Sequence, residues 1–237
     1  SEVAPDKPLW TGWEIATATG GLASADFRAT GVAFDSREVG SGDLFIALKG
    51  EATDGHNFLD RAFAAGAAGA IVSRPIPEPH VLVADTGEAL DILGRTARAR
   101  MNGKVIGVTG SVGKTSTKEA LFAALDRFCP GRVHRSVKSY NNHVGVPLSL
   151  ARMPRDTRFG VFEMGMNHFG ELSALTRLVR PHVAIVTAIA PAHIEFFGTE
   201  EAIARAKAEI FEGLEPGGVA IIPEDSPQRD LLYAKAR

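Results

Sequence analysis

The feature that most constrains the fold is an apolar segment that runs directly into a short glycine-rich loop. The sequence reads Val105-Ile-Gly-Val-Thr-Gly-Ser-Val-Gly-Lys-Thr115. The apolar run predicts a buried strand over residues 105–108, and the pattern from Thr115 onward predicts a helix. A strand that passes into a helix through so short a glycine loop is typical of a nucleotide-binding α/β layout.

The glycine loop has the chemistry of a phosphate site. Gly110 and Gly113 permit backbone conformations that turn successive N–H groups toward phosphate oxygens, and the helix N-terminus adds positive potential. Lys114 can neutralise the β- and γ-phosphates, and the Thr115 hydroxyl can bind Mg²⁺. The general pattern G-x-x-x-x-G-K-[ST] is incomplete, because Val108 replaces its first glycine. The alternative is a glycine-rich turn with an exposed lysine, which the position directly after a buried strand disfavours.

Short apolar runs alternate with helical patterns along the chain, which predicts mostly parallel sheets covered by helices. A long helical pattern stops near residue 102, so we expect two domains, 1–102 and 103–237. The strands predicted in the first domain are 31–34, 43–48, 70–73 and 81–84, and its helices are 57–65 and 88–100. The second domain has further predicted strands near 160–162, 183–186 and 219–222, and a helix over 200–214.

Composition excludes several classes of function. A formal net charge of −2 provides no general field for nucleic acid or an anionic membrane, so phosphate recognition must be local. Cys129 is the only cysteine, which excludes an intrachain disulfide and a cysteine-based zinc site. No long apolar run or secretory signal pattern occurs. We expect a cytoplasmic monomer with no nucleic-acid partner and no membrane insertion.

Several sequence blocks resemble those of the Mur ligase family and occur in the same order. The blocks in the second half are 109–119, 140–148, 163–171 and 192–198, followed by 206–210. Those in the first half, similar to the family's UDP-substrate domain, are 35–37, 42–50 and 54–56. The family's own loop also lacks the first glycine, so the departure at Val108 supports the resemblance, which covers almost the whole chain.

The resemblance implies an N-terminal α/β domain that binds a UDP-linked precursor, followed by a P-loop-type ATPase domain with a mostly parallel sheet. It also implies that this second domain is incomplete and that a C-terminal Rossmann-like domain is absent from the sequence. Glu-Met-Gly at 163–165 and the pair Asn141-Asn142 are most similar to the branch that adds D-alanyl-D-alanine to UDP-N-acetylmuramoyl-tripeptide. The branch that acts one step earlier is the alternative.

The implied reaction uses ATP and Mg²⁺ and forms an acyl phosphate, and the resemblance carries its residue roles onto this sequence. The residues implied in catalysis are Lys114, Glu163, His193 and Lys207. The implied metal ligands are Thr115, Glu163, His193 and, if carbamylated, Lys207. The implied nucleotide-binding residues are Gly110, Ser111, Val112, Gly113, Lys114, Thr115, Ser116, Asn141 and Asn142. The residues implied to bind the UDP substrate are Ser36, Arg37, Lys49, Asp54, Gly55 and His56.

Each of these roles has an ordinary structural alternative. A glutamate at a strand end is often only solvated, and a histidine there is more often structural, since magnesium prefers oxygen ligands. A lysine that borders an apolar helix face, as Lys207 does, usually extends to water. Asparagine pairs favour turns. His168, a weaker candidate for the active site, can equally well be a cap on the helix that follows it. The polar loops of the first half can be ordinary turns.

Two rival functions remain open at this point. Family members are roughly twice as long, so this chain is expected to be a fragment that binds nucleotide and a UDP ligand without full ligase activity. The other rival is an unrelated P-loop kinase or GTPase. That reading is disfavoured because the Asn-Lys-x-Asp base-recognition motif of GTPases does not occur.

Overall fold

The computed structural model describes residues 7–138, 140–190 and 197–237. The predicted α/β architecture with mostly parallel sheets is confirmed. The chain divides into two compact units, Ser1–Ala97 and Arg98–Arg237. His193 lies outside the described residues. In those ranges, no helix has both the length and the apolar character needed to cross a membrane.

The first unit contains a five-stranded sheet with the order β2-β7-β6-β5-β4 and a separate antiparallel pair, β1 and β3. The strands are β1 (Trp10–Thr11), β2 (Leu22–Ala23), β3 (Arg28–Ala29), β4 (Gly31–Ala33), β5 (Asp43–Ile46), β6 (Gly69–Val72) and β7 (His80–Leu82). The helices are α1 (Gly12–Thr19), α2 (Leu59–Ala64) and α3 (Thr86–Arg100), of which the last three residues belong to the second unit. Neighbouring strands of the larger sheet are parallel except β2 and β7.

Burial explains why strands near β4, β5, β6 and β7 are predicted from the sequence, whereas the two-residue strands β1, β2 and β3 and the helix α1 are not. All four residues of β6, and the last three of β5, are buried. Parallel strands are covered on both faces, so they appear as continuous apolar runs rather than as alternating patterns. The segments that follow the parallel strands β4 and β5 lie at the carboxyl edge of this sheet.

The second unit is built on one parallel sheet with the order β12-β11-β8-β10-β9. Its strands are β8 (Lys104–Thr109), β9 (Val133–Arg135), β10 (Phe159–Glu163), β11 (Val183–Val186) and β12 (Val219–Ile221). Its helices are α4 (Lys114–Phe128), α5 (Gly145–Ala151), α6 (Glu171–Val179), α7 (Glu200–Lys207) and α8 (Arg229–Ala236).

The central strand β8 is packed on both faces, because successive side chains of a strand point in opposite directions. Val105 belongs to a core shared with Phe162 of β10. Ile106 and Val108 face the other way and pack with residues of α4. The glycine loop therefore starts from a rigid strand in the middle of the sheet. The loop lies at the carboxyl edge of the sheet, which is where open α/β sheets bind ligands.

The predicted helix over 200–214 is divided in the structure. The α-helix α7 ends at Lys207, and a 3-10 helix follows over Ala208–Gly213. Contacts with α6 account for the change, because the Thr176 hydroxyl donates to the Ile210 carbonyl and the Glu209 carboxylate accepts from backbone N–H groups at the start of α6. The periodicity of apolar residues along the chain cannot predict these long-range contacts.

Candidate active site

The loop Gly110–Gly113 joins β8 to α4 in a conformation that requires its glycines. Gly110 and Gly113 have φ of 152° and 84°, which are left-handed values. A Cβ at Gly110 would collide with the Thr187 side chain. The Thr187 hydroxyl donates to the Val112 carbonyl (2.7 Å), and the Ser111 N–H donates to the Ala188 carbonyl (3.0 Å). The segment after β11 thus fixes the shape of the loop.

The start of α4 presents unused donors beside this loop. Among the described residues, no hydrogen bond engages the backbone N–H groups of Gly113, Lys114, Thr115 or Ser116. The first amides of a helix have no partner within the helix, and with the helix dipole they form an anion site. Within the described parts of the chain, the Ser111 N–H is the one backbone donor of the loop that has a hydrogen-bond partner. The geometry therefore suits a phosphate group.

Glu163 lies at the carboxyl end of β10, one strand away from the loop. Its side chain is 1% exposed. The Thr115 hydroxyl lies 3.1 and 3.0 Å from its two carboxylate oxygens, and the Asn141 side-chain amide donates to Oε1 at 3.1 Å. The Glu163 N–H donates to the Ser136 hydroxyl, just after β9. Two side chains from different connections, Thr115 after β8 and Asn141 after β9, thus meet at one carboxylate.

Lys118 is a member of this cluster that the sequence reasoning missed. Its side chain is 0% exposed, and its Nζ lies 2.6 Å from the Lys138 carbonyl oxygen and 3.4 Å from Glu163 Oε2. Glu119 Oε1 is 3.6 Å from the same nitrogen. The available signal was helical spacing, because Lys118 follows Lys114 by one turn and shares a face of α4 with it.

Lys207, the last residue of α7, is a buried lysine. The residue is 1% exposed, and its Nζ contacts no acceptor in the described parts of the chain. Burial, together with the smaller effect of the nearby Lys114 charge, lowers the pKa of this lysine from 10.5 to about 7. Close to neutral pH, the amine is therefore partly unprotonated and nucleophilic. The expectation that this lysine borders the apolar face of a helix underestimates its burial.

Asn142, a nucleotide-site candidate, and His168, a candidate helix cap, each lie just before a helix. Asn142 Oδ1 accepts from the N–H groups of Val144 and Gly145, so this oxygen caps the start of α5. His168 is exposed, and its ring pairs with Glu171 at 3.1 Å. The pKa of Glu171 is lowered by the N–H groups of Asn167 and His168, against the opposing effect of its partial burial.

The chemistry of the donors fits a magnesium ion bound together with phosphate. Within the described ranges, no group of three or more histidine, cysteine, aspartate or glutamate side chains could hold a metal. Magnesium commonly uses only one or two carboxylates, with substrate phosphates and waters completing its octahedron. The Thr115 hydroxyl and the Glu163 carboxylate are hard oxygen donors of that kind, and they lie next to the open amides of α4.

The UDP-substrate candidates of the first unit lie in the loops that follow β4 and β5. Ser36 is buried, while the exposed Arg37 guanidinium makes two hydrogen bonds with Asp35, at 3.0 and 2.8 Å. Lys49 forms an isolated antiparallel bridge with Asp54. Because β4 and β5 are parallel neighbours, both loops start from the same edge of the sheet.

His56 holds the second of these loops in place. Its Nδ1 lies 2.6 Å from the Asp54 carboxylate, and its Nε2 accepts from the Ser73 N–H at 2.9 Å. The hydrogen bond from the His56 N–H is the largest cause of the lowered pKa of Asp54. Gly55 approaches the Leu48 backbone so closely that a Cβ would lie 2.8 Å from its nitrogen. Asp54, Gly55 and His56 thus shape the loop rather than project from it.

Comparison with known proteins points in one direction. Residues 108–237 match the Mur ligase middle domain, and residues 28–104 match the Mur ligase family, catalytic domain. UDP-N-acetylmuramoyl-tripeptide--D-alanyl-D-alanine ligase of Bacillus subtilis (strain 168) is 42% identical over 91% of this chain and 48% of its own length. The Escherichia coli (strain K12) enzyme of the same name is 41% identical over 87% of this chain and 46% of its own.

Solved structures agree with these matches. MurF from Acinetobacter baumannii superposes with a TM-score of 0.83 and 38% identity, covering 98% of this chain and 52% of that protein. MurF ligase from Thermotoga maritima in complex with ADP gives a TM-score of 0.71 and 33% identity, over 86% and 48% of the two chains. The chain spans about half the length of the curated relatives it matches.

Proposed function

Because the chain belongs to the Mur ligase family, we propose that it serves the ATP-dependent ligation of D-alanyl-D-alanine to UDP-N-acetylmuramoyl-tripeptide. In this proposal the second unit binds ATP and Mg²⁺, and the first unit binds the UDP-linked peptide. The observation that carries the proposal is the buried Glu163 carboxylate, hydrogen-bonded to Thr115 directly beside a loop with open amides. ATP use also leads us to propose a cytoplasmic reaction.

The chemistry explains why such a site is needed. A carboxylate is a poor acyl donor, so one of its oxygens attacks the γ-phosphorus of ATP, and the bond to the ADP oxygen breaks. The product is an acyl phosphate. The amine of D-alanyl-D-alanine then attacks the acyl carbon, loses a proton and expels inorganic phosphate as the amide forms. Two anions must meet in the first step, which requires concentrated positive charge.

The residues of the second unit divide this work. The amides of Gly113–Ser116 and the Lys114 ammonium would hold the β- and γ-phosphates through charge-assisted hydrogen bonds. Thr115 and Glu163 would hold Mg²⁺, with the Asn141 amide fixing the position of the carboxylate. Bound there, Mg²⁺ would supply charge neutralisation at the transferred phosphate.

We propose that Lys207 is carbamylated. Its neutral amine would attack the carbon of CO₂, forming an N–C bond while one C=O π bond opens onto its oxygen, and the nitrogen would lose a proton. The neutral amine thus becomes an anionic carbamate near the positive charge of Lys114. The proposal is supported by the buried Nζ, which has no hydrogen-bond partner among the described residues, and by a pKa of about 7, because the unprotonated amine is the reactive form. The carbamate would join the metal-binding oxygens.

Carbamylation has a direct spectroscopic test. The wild-type chain equilibrated with ¹³C-bicarbonate should show one carbamate ¹³C resonance. The Lys207→Met variant should lack this resonance. The control variant Lys235→Met, which changes an exposed lysine, should retain it. A wild-type spectrum without this resonance would refute the modification.

For the first unit, we propose that Arg37 and Lys49 meet the diphosphate of the UDP substrate, with Ser36 close by. Asp54, Gly55 and His56 would support this contact by shaping the loop that carries Lys49. A preference for the UDP-tripeptide over the shorter precursor taken by the preceding ligase would distinguish the two branches of the family.

The proposed function is tested by separating binding from turnover. We expect the 237-residue chain to bind an ATP analogue in a Mg²⁺-dependent manner and to bind UDP-tripeptide in calorimetric titrations. By family resemblance, the dipeptide is received by a third domain, so this chain alone should form little product. Failure to bind either ligand would contradict the assignment, and robust dipeptide-dependent phosphate release would contradict the predicted lack of turnover.

A further inference from the structure

The buried ammonium of Lys118 has no role in the chemistry proposed above. It is enclosed within the second unit, and its closest contact is the Lys138 carbonyl oxygen, at 2.6 Å. A buried ammonium is costly unless its charge and hydrogen-bonding capacity are used. The cost of burying the Lys118 ammonium must therefore be offset by its interactions with the groups that it contacts.

One partner of Lys118 is Glu163, the proposed metal ligand. Lys118 Nζ lies 3.4 Å from Oε2, the carboxylate oxygen that the Asn141 amide does not contact. Thr115 reaches both oxygens. Thr115, Asn141 and Lys118 therefore hold the carboxylate from several directions. A single rotamer of Glu163 follows, together with the counter-charge that a buried carboxylate needs.

The other partner is the backbone that leads to Asn141. Lys138 has a φ of 51°, a left-handed conformation that is unfavourable for a residue with a side chain. The hydrogen bond from Lys118 to its carbonyl stabilises this turn. Three residues later, the Asn141 carbonyl accepts from the Gly165 N–H at 2.8 Å, and its side chain reaches Glu163. One ammonium thus connects α4, this turn and the end of β10.

We propose that Lys118 is a positioning residue, which fixes the Glu163 carboxylate and the Asn141 amide beside the phosphate loop before nucleotide and metal bind. The inference rests on the proposed function, because it assumes that Glu163 binds Mg²⁺. It differs from a purely structural role in one respect. Removing the ammonium should weaken metal binding more than it weakens the contact of the loop with phosphate.

The test uses Lys118→Met, which keeps the length of the side chain and removes its charge, with exposed Lys235→Met as the matched control. ADP binding is measured by calorimetry in the presence of a chelator and then across a Mg²⁺ series. We expect Lys118→Met to need about tenfold more Mg²⁺ for half-maximal effect, the scale of one charged hydrogen bond. Its metal-free ADP affinity should stay within about twofold of wild type. For Lys235→Met, both the metal-free ADP affinity and the Mg²⁺ concentration for half-maximal effect should stay within about twofold of wild type.

An unchanged Mg²⁺ requirement in Lys118→Met would overturn the inference, as would an equal loss of metal-free and metal-dependent binding. If this variant does not fold by circular dichroism, Lys118→Arg is judged by the same two readouts, because it keeps the charge and changes the geometry. A wild-type chain without any Mg²⁺-dependent ADP binding would instead refute the proposed function itself.

Discussion

At the scale of single residues, burial changes what a common side chain can do. Lys207 illustrates the point, because removal from water makes its charged form unfavourable and its amine available near neutral pH. Glu163 is equally buried, but its hydrogen bonds and the nearby ammonium satisfy the charge. Both side chains are thus almost fully buried, but burial disfavours the charged form of Lys207, whereas the contacts of Glu163 compensate its charge.

The lowered pKa of Lys207 predicts a dependence of stability on pH. The folded-state pKa, about 7, lies below the ordinary value of 10.5, so the unfolded chain binds more protons between these values. The free energy of unfolding should therefore rise as pH increases from about 7 toward 10, by at most about 1.4 kcal/mol per pH unit for one proton. Below pH 7 the full penalty of protonating the buried amine remains.

Urea unfolding in CO₂-free buffer at a series of pH values measures this effect. Lys207→Met should be more stable than wild type near pH 7, and its advantage should shrink toward pH 10. A constant difference between the two proteins over that range would show that the lysine titrates normally.

The sequence predicts some of these residues better than others. Glu163 could be placed beside the loop because its preceding apolar run ends there, and parallel strands bring their carboxyl ends to one edge. The contact of Lys118 with the Lys138 carbonyl could not be predicted, because it depends on a left-handed turn formed twenty residues later in the chain. The proposed roles of the site residues stay predictions.

At the scale of elements, the phosphate loop depends on a close contact with the segment after β11. The Thr187 side chain occupies the space that a Cβ at Gly110 would need. We predict that Gly110→Ala distorts the loop and weakens ATP-analogue binding roughly 10–100-fold, equivalent to about 1–3 kcal/mol of strain. Isothermal titration measures the change.

Gly131→Ala is the matched control for the loop variant. Gly131 also has a positive φ, 73°, but a Cβ there meets no atom within 4 Å. It should lose stability without a comparable loss of nucleotide affinity. Equal losses of affinity in the two variants would argue that the Thr187 contact is irrelevant to the site.

Two elements of the second unit show where local patterns fail. Every residue of α5 is buried, so the helix has no polar face to produce an amphipathic pattern, and Pro147 conceals it further although proline is tolerated in a first turn. Strand β9 is only Val133–Arg135, too short and polar for an apolar run. By contrast, β11 is long enough and apolar enough to be predicted at its observed bounds.

At the scale of the whole molecule, the family and the α/β architecture were both predictable, and both are confirmed. The reason is that several sequence blocks occur in the same order as in the family. They combine a glycine loop with polar residues at strand ends, and few folds require both. The division into two compact units leads to a prediction about ligand binding, since each unit has its own set of polar loops.

We predict that Lys114→Ala lowers ATP affinity roughly 10–100-fold, the cost of one charge-assisted contact, and leaves UDP-tripeptide affinity nearly unchanged. Arg37→Ala should show the reverse pattern. Titrating each variant with each ligand tests the pair. If Lys114→Ala weakened both ligands equally, the two half-sites would not be separate.

We propose above all that the amides at the start of α4 and Lys114 bind the nucleotide phosphates, with Thr115 and Glu163 holding the metal. A crystal structure of this chain with a non-hydrolysable ATP analogue and Mn²⁺ tests it most directly, because the anomalous signal locates the metal. We expect the phosphates to lie against the Gly113–Ser116 amides and a manganese peak to lie between Thr115 and the Glu163 carboxylate. Phosphates bound elsewhere, or a bound metal far from Glu163, would contradict it.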